Sequence, residues 1–157
     1  MAGGRRRALL AVAAGAVAGL AVGVTVAGSS SSGFTRIHLV EREGDVHFVD
    51  LGKQGLTVGD RNSIRSDVLD LQGHVVGRFD FDCDVTGVGK HLGGVCHGAL
   101  TLAGGQIAGE SAFGENGESQ LQAITGGTGK YEGARGQFVL GKAKGSLTPF
   151  VVELQSG

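Results

Sequence analysis

The chain has 157 residues and a net charge of −1 with histidine neutral, which fits one domain with a short appendage. Balanced charge and 5% aromatic residues, with no tryptophan, argue against a nucleic-acid-binding protein, which needs a basic surface or aromatic stacking residues. The 31 glycines and single proline follow no Gly-X-Y period, which excludes a collagen-like chain. With 41% hydrophobic residues, this composition predicts an all-β protein with tight turns.

Residues 1–33 have the composition of a targeting segment. Arg5, Arg6 and Arg7 precede an uncharged stretch over residues 8–28, and four serines follow at 29–32. This order predicts an export signal, either general secretory or, because paired arginines precede apolar residues, of the twin-arginine kind. The alternative is an N-terminal membrane anchor, since the uncharged stretch is just long enough to span a bilayer. The working domain is then residues 34–157, secreted and in contact with a membrane only through an uncleaved segment.

After residue 33, short stretches of alternating hydrophobicity recur between glycine clusters, which is typical of consecutive antiparallel strands. No stretch carries a helical apolar stripe of useful length. Strands are predicted at 34–42, 45–51, 64–71, 75–86, 94–103, 105–113, 118–124, 135–143 and 147–155. So many short antiparallel strands bury their edges by closing into a barrel or by forming a sandwich.

The clearest strand is 75–86, in which apolar and charged residues alternate. The apolar face carries Phe79, Phe81, Cys83 and Val85, and the other face carries Arg78, Asp80, Asp82 and Asp84. A hairpin centred on Gly89-Lys90 places Cys83 opposite Cys96, Phe81 opposite Gly98 and Phe79 opposite Leu100. A small residue facing an aromatic one suits a narrow barrel, so this apolar face is expected to line the interior.

The two cysteines have three interpretations. In an exported protein, Cys83 and Cys96 on facing strands predict a disulfide. Alternatively, both are reduced, buried side chains that act as small hydrophobic residues. In the third interpretation Cys83 is a functional thiol in a pocket, which requires it to be unbonded.

No metal site is predicted. The alternation of the strand puts Asp80, Asp82 and Asp84 on a charged outer face, without the glycine turn and later glutamate of a calcium loop. The five histidines, at positions 38, 47, 74, 91 and 97, have no metal-binding spacing.

Three segments, in order, resemble the allene oxide cyclase and dirigent barrel superfamily. They are Val58-Gly59-Asp60 with Asp67-Val68-Leu69, then Val76-Gly77-Arg78 with Cys83, and finally the sequence ITGGTGKYEGARG from Ile124 to Gly136. The resemblance implies a bacterial, exported member that folds as an eight-stranded antiparallel β-barrel, lipocalin-like in shape, with an internal apolar pocket. It also implies a homodimer or homotrimer and an activity that needs no cofactor.

The resemblance also suggests candidate site residues. Cys83 matches the family's cysteine, Ser66 stands where the cyclase has a second-strand asparagine, and Arg135 occupies the arginine of the Ala-Arg-Gly segment. The cyclase's first-strand acid and amide fall on His38 and Val40, so that pair is missing and true allene oxide cyclase activity is not expected. The catalytic candidates are thus His38, Ser66, Cys83 and Arg135, and the pocket candidates are Phe79, Phe81, Val85, Leu100 and Tyr131.

The expected function is a cofactor-independent cyclase or isomerase. Such a barrel holds a small hydrophobic metabolite in one reactive conformation and steers its ring closure or coupling. The alternative is a non-catalytic exported barrel that binds or carries an apolar ligand, or whose interior is simply filled by side chains. An eight-stranded barrel is just wide enough for either case.

Overall fold

The structure, a computed structural model, describes residues 33–114 and 121–155. Eight strands make up most of these residues: β1 (Phe34–Val49), β2 (Arg61–Leu69), β3 (Val75–Gly87), β4 (Gly93–Leu102), β5 (Gly105–Gly114), β6 (Leu121–Gly127), β7 (Gly136–Leu140) and β8 (Leu147–Gln155). The predicted targeting segment, apart from its last residue, lies outside the described residues. Within the described ranges, no helix has the length and apolar character needed to cross a bilayer.

The strands form a closed antiparallel barrel in chain order, with β8 paired to β1. The predicted eight-stranded barrel is therefore confirmed. The nine predicted strands become eight because 34–42 and 45–51 are one strand, β1, with a bulge between Arg42 and Asp45. Gly44 lies in this bulge, where a Cβ atom would overlap the carbonyl oxygen of Arg65. Glycine therefore lets the strand bend without ending.

The predicted β3–β4 register is confirmed, and Cys83, Phe81 and Phe79 lie opposite Cys96, Gly98 and Leu100. Directly opposed residues point to the same side of a sheet, so the apolar face of β3 continues across β4 into the barrel interior. Every strand contributes inward side chains to one core, made of Leu39, Val68, Phe79, Leu100, Ile107, Ile124, Tyr131, Phe138, Phe150 and Val152.

The outer face of β2 and β3 is charged, as the alternation predicts. Arg61 Nε donates to Asp84 at 2.8 Å, Arg65 Nε donates to Asp80 at 2.7 Å, and the Ser63 hydroxyl donates to Asp82. Such exposed pairs add little to stability, because water and salt screen them. Across the described ranges, no group of three or more histidine, cysteine or acidic residues is placed to hold a metal ion.

Asp60 is a buried acid that organises the connection between β1 and β2. Its carboxylate accepts hydrogen bonds from the Leu51 amide at 2.8 Å and the Thr57 amide at 2.6 Å. These donors stabilise the charged form and hold the pKa of Asp60 below its ordinary value. The carboxylate thus supplies acceptors to backbone donors that this turn would otherwise leave unpaired.

Candidate functional site

A cavity of about 330 Å³ lies inside the barrel, at the end that carries the β3–β4 hairpin. This end is called the disulfide end below, and the end that carries the β6–β7 connection is called the Arg135 end. The volume is at the lower limit of the roughly 300–1,000 Å³ that is usual for small-molecule sites. The cavity is lined by Glu41, Asn62, Ile64, Phe79, Phe81, Cys83, Val85, Cys96, Ser111, Phe113, Gln122, Leu140 and Thr148.

Aromatic rings form the inner part of this cavity. The Phe79 and Phe81 ring centroids are 5.2 Å apart, and Phe79 also packs on Phe138 at 5.8 Å and stacks on Phe150 at 6.2 Å. Glycine on the neighbouring strands leaves room for the rings, since a Cβ at Gly98 would overlap Phe81. The cavity therefore has an apolar floor, formed by Phe79 and Phe81, which rests on the buried core.

Polar side chains surround the floor and are called the polar collar: Glu41, Asn62, Ser111, Gln122 and Thr148. Asn62 lies opposite Cys83, and Ser111 lies opposite Cys96, so a row crosses four adjacent strands. Glu41 and Thr148 face each other across β1 and β8 on another side of the barrel. An apolar floor with a polar collar suits a ligand that is mostly hydrophobic and has one polar part.

One atom of the collar is buried without a hydrogen bond. Among the described residues, the side-chain oxygen Asn62 Oδ1 finds no donor, although Asn62 itself is only half-buried. Buried polar atoms in proteins are nearly always paired, so such an exception calls for a physical explanation.

The cysteines form a disulfide that is part of the cavity wall. The two Sγ atoms are 2.02 Å apart, and the Cα atoms of Cys83 and Cys96 are 4.0 Å apart. The disulfide interpretation is therefore confirmed, and the prediction of Cys83 as a catalytic thiol is corrected, because a bonded sulfur supplies no thiolate. A structural disulfide is typical of an oxidising compartment.

The predicted pocket residues divide between the cavity and the core. Phe79, Phe81 and Val85 line the cavity. Leu100 is fully buried in the core and does not line the cavity. Tyr131 is in the core as well, but it lies at the Arg135 end, in the turn before β7.

The four catalytic candidates are not brought together. Ser66 is 1% exposed, lies opposite Phe79 and does not line the cavity. Within the described ranges, its Oγ has no hydrogen-bond partner. His38 is exposed because its neighbour Leu39 points inward, and strand alternation then turns His38 outward. Arg135 is exposed and directly precedes Gly136 at the Arg135 end, whereas the cavity reaches β7 only at Leu140.

The polar collar is the part of the site that the sequence patterns did not reveal. The strand predicted at 64–71 leaves Asn62 in a connection, whereas β2 begins at Arg61. Gln122 precedes the Gly-rich segment and has no distinctive spacing in the sequence. The signal that finds Asn62 is its position opposite Cys83, and this requires the β2–β3 register.

A larger depression of about 660 Å³ lies on the outer face of the sheet from β1 to β6. It is bordered by charged and small residues, including Arg65, Asp82, His97, Ala108 and Glu110. A surface of this kind is open to solvent, and its charged side chains stay hydrated. The internal cavity, which has an apolar floor and a buried unpaired acceptor, is therefore the better candidate site.

Known proteins share this architecture. Residues 36–146 match the family described as allene oxide cyclase barrel-like domain. No curated protein matches the chain. The chain is 25% identical to the solved structure of a pyocyanin demethylase, with a TM-score of 0.64 over 76% of this chain and 99% of that one.

Two further solved structures are cyclases with lower identity. One is described as a nonspecific heme-binding cyclase that catalyses a [4 + 2] cycloaddition in neoabyssomicin biosynthesis (16% identity, TM-score 0.63, 78% of this chain and 65% of that one). The other is the Diels–Alderase AbmU from Streptomyces koyangensis (18% identity, TM-score 0.62, 78% and 64%). At this identity the likeness shows the fold alone. With the family match covering most of the barrel, the chain belongs to the allene oxide cyclase barrel-like family.

Proposed function

We propose that this protein is a cyclase- or isomerase-type enzyme that binds a small hydrophobic metabolite inside the barrel and favours one ring closure or coupling. The observation that carries the proposal is the internal cavity, which joins an aromatic floor to a polar collar. A ring closure or isomerisation rearranges the bonds of one substrate and needs no redox partner, so this reaction uses no cofactor. In a coupling, the barrel would only orient partners that arrive already activated.

The shape of the cavity would supply most of the catalysis. Phe79 and Phe81 offer an apolar surface against which a flexible substrate folds. Binding that holds the reacting atoms close together lowers the entropic part of the activation barrier, which the substrate faces in free solution. The collar then orients the polar part of the substrate. Glu41 is the one ionisable side chain that the described residues contribute to the cavity lining, and we assign it the proton transfer that accompanies ring closure or isomerisation.

The descriptions of similar structures support a catalytic role on a small organic metabolite. Two are described as cyclases of the cycloaddition type and one as a demethylase of pyocyanin, so barrels of this shape host reactions on organic metabolites. We also propose that the barrel works outside the cytoplasm, where the Cys83–Cys96 disulfide persists and to which the predicted N-terminal signal would deliver it.

The experiment compares two neighbouring substitutions on β5. Ser111 lines the cavity, whereas Ala112 is exposed and faces outward. Purified wild type, Ser111→Trp and Ala112→Trp are each incubated with an extract of hydrophobic metabolites and examined by native mass spectrometry. We expect wild type and Ala112→Trp to retain the same small molecule and Ser111→Trp to lose it. Equal retention by all three proteins would contradict a ligand site in the cavity.

Turnover distinguishes an enzyme from a carrier. The retained molecule is incubated with wild type and with Glu41→Gln, and the products are followed by chromatography. An enzyme converts the molecule to an isomer, and Glu41→Gln slows this by about 10²-fold or more while binding persists. Binding without any conversion by wild type would support the carrier function instead.

A further inference from the structure

Asn62 contributes a buried acceptor to the cavity wall that lacks a hydrogen-bond donor. It lies on β2 opposite Cys83, and its Oδ1 is buried without a hydrogen bond from any described residue. A buried amide oxygen accepts up to two hydrogen bonds and loses those of water when it is covered. A molecule that enters the cavity can supply such a donor.

The other collar residues do not take this role in the structure. Ser111 and Gln122 carry donor groups and line the same cavity, yet neither donates to Asn62 Oδ1. The main-chain partners of β2 are already used in the ladders to β1 and β3. The missing donor is thus expected on a ligand rather than on the protein.

The floor next to Asn62 restricts the ligand's shape. The rings of Phe79 and Phe81, whose centroids are 5.2 Å apart, form a continuous aromatic surface. The volume of the whole cavity is only about 330 Å³. Aromatic surface and small volume suit a compact ring system of two or three rings. The collar lies at the edge of this floor, where the polar substituent of such a molecule would be held.

We propose that Asn62 determines ligand specificity: its Oδ1 accepts a hydrogen bond from a hydroxyl or N–H group on a compact, apolar ring compound that packs on Phe79 and Phe81. This inference rests on the proposed function, because it needs the cavity to be a ligand site. It assigns Asn62 to ligand recognition and orientation, and leaves proton transfer to Glu41.

The test uses two probes of nearly equal size. 1-Naphthol carries a hydroxyl donor, and 1-methylnaphthalene has the same rings with a methyl group in its place. Affinities of both are measured at pH 7 by calorimetry for wild type, Asn62→Leu, Asn62→Asp and the control Ser63→Ala, after circular dichroism has verified the fold of each. Ser63 follows Asn62 on β2, but its hydroxyl lies on the outer face, where it donates to Asp82, and it does not line the cavity. The quantity of interest is the ratio of the two affinities within one protein, since hydrophobic contributions largely cancel in it.

We expect the preference for 1-naphthol to fall about five- to tenfold from wild type to Asn62→Leu, the value of one hydrogen bond. Asn62→Asp keeps an acceptor and should keep the preference, as should Ser63→Ala on the outer face. An unchanged ratio in Asn62→Leu, or loss of the preference in Asn62→Asp, would overturn the role of Asn62 while both probes still bind. If wild type binds neither probe, the ring-compound class is wrong, and the mass-spectrometric comparison at Ser111 and Ala112 decides the proposed function separately.

Discussion

Removal of the Cys83–Cys96 cross-link should destabilise the barrel by a predictable amount. The two cysteines are 13 positions apart, so the bond closes a loop of 14 residues in the unfolded chain. In the chain-entropy description, a loop of this length contributes about 3 kcal/mol to the free energy of unfolding at 25 °C. For a domain of this size, that corresponds to a fall in the melting temperature of roughly 10 °C.

The measurement is urea unfolding of Cys83→Ser/Cys96→Ser beside oxidised and reduced wild type. The two uncrosslinked proteins should agree with each other within about 1 kcal/mol, because both have lost the same constraint on the unfolded chain. Their denaturant slopes should be steeper than that of oxidised wild type, since an uncrosslinked chain exposes more surface on unfolding. Binding of 1-naphthol should persist, because the β3–β4 ladder still pairs these strands.

Two results would refute this reasoning. A loss below about 1 kcal/mol would mean that the unfolded chain already keeps Cys83 and Cys96 close together. A double variant much less stable than reduced wild type would mean that the serine side chains disturb the cavity wall, and that the cross-link is not the main contribution.

Two further predictions concern packing and pH. Gly98→Ala should lower the free energy of unfolding by about 1–3 kcal/mol, because the added Cβ would overlap Phe81 and lie 2.5 Å from the Asp80 carbonyl oxygen. Gly126→Ala should lower it clearly less, because the space around Gly126 is open. Equal urea midpoints for the two variants would contradict the close packing at Gly98. Because hydrogen bonds from the Thr57 and Leu51 amides lower the pKa of Asp60, its carboxylate should stabilise the fold at neutral pH. Asp60→Asn should therefore be less stable than wild type at pH 7. The difference in the free energy of unfolding should shrink as the pH falls below 3.8, the ordinary pKa of an aspartate side chain. A difference independent of pH would contradict this explanation.

The candidate site shows where sequence patterns stop being informative. Cys83 and Phe81 could be placed because they lie on one strand with strict alternation and a short hairpin to β4. His38 and Arg135 were proposed from resemblance alone, and neither reaches the cavity, because alternation turns one outward and the other lies at the Arg135 end. Asn62 was not proposed, since its role depends on which residue of a neighbouring strand it faces.

The sequence by itself determined the antiparallel strands, the inward face of β3 and the position of Cys83 opposite Cys96, because alternation and a short hairpin are local properties of the chain. These patterns fitted a barrel or a sandwich equally, and the family resemblance was what implied the barrel. Only the tertiary structure decided that β1 continues through a bulge at Gly44, and that the collar joins Glu41, Asn62 and Gln122 from three strands. Barrel closure sets these positions through strand registers that link distant parts of the chain. The arrangement of polar groups that we propose for function is therefore a property of the closed barrel and of no single segment.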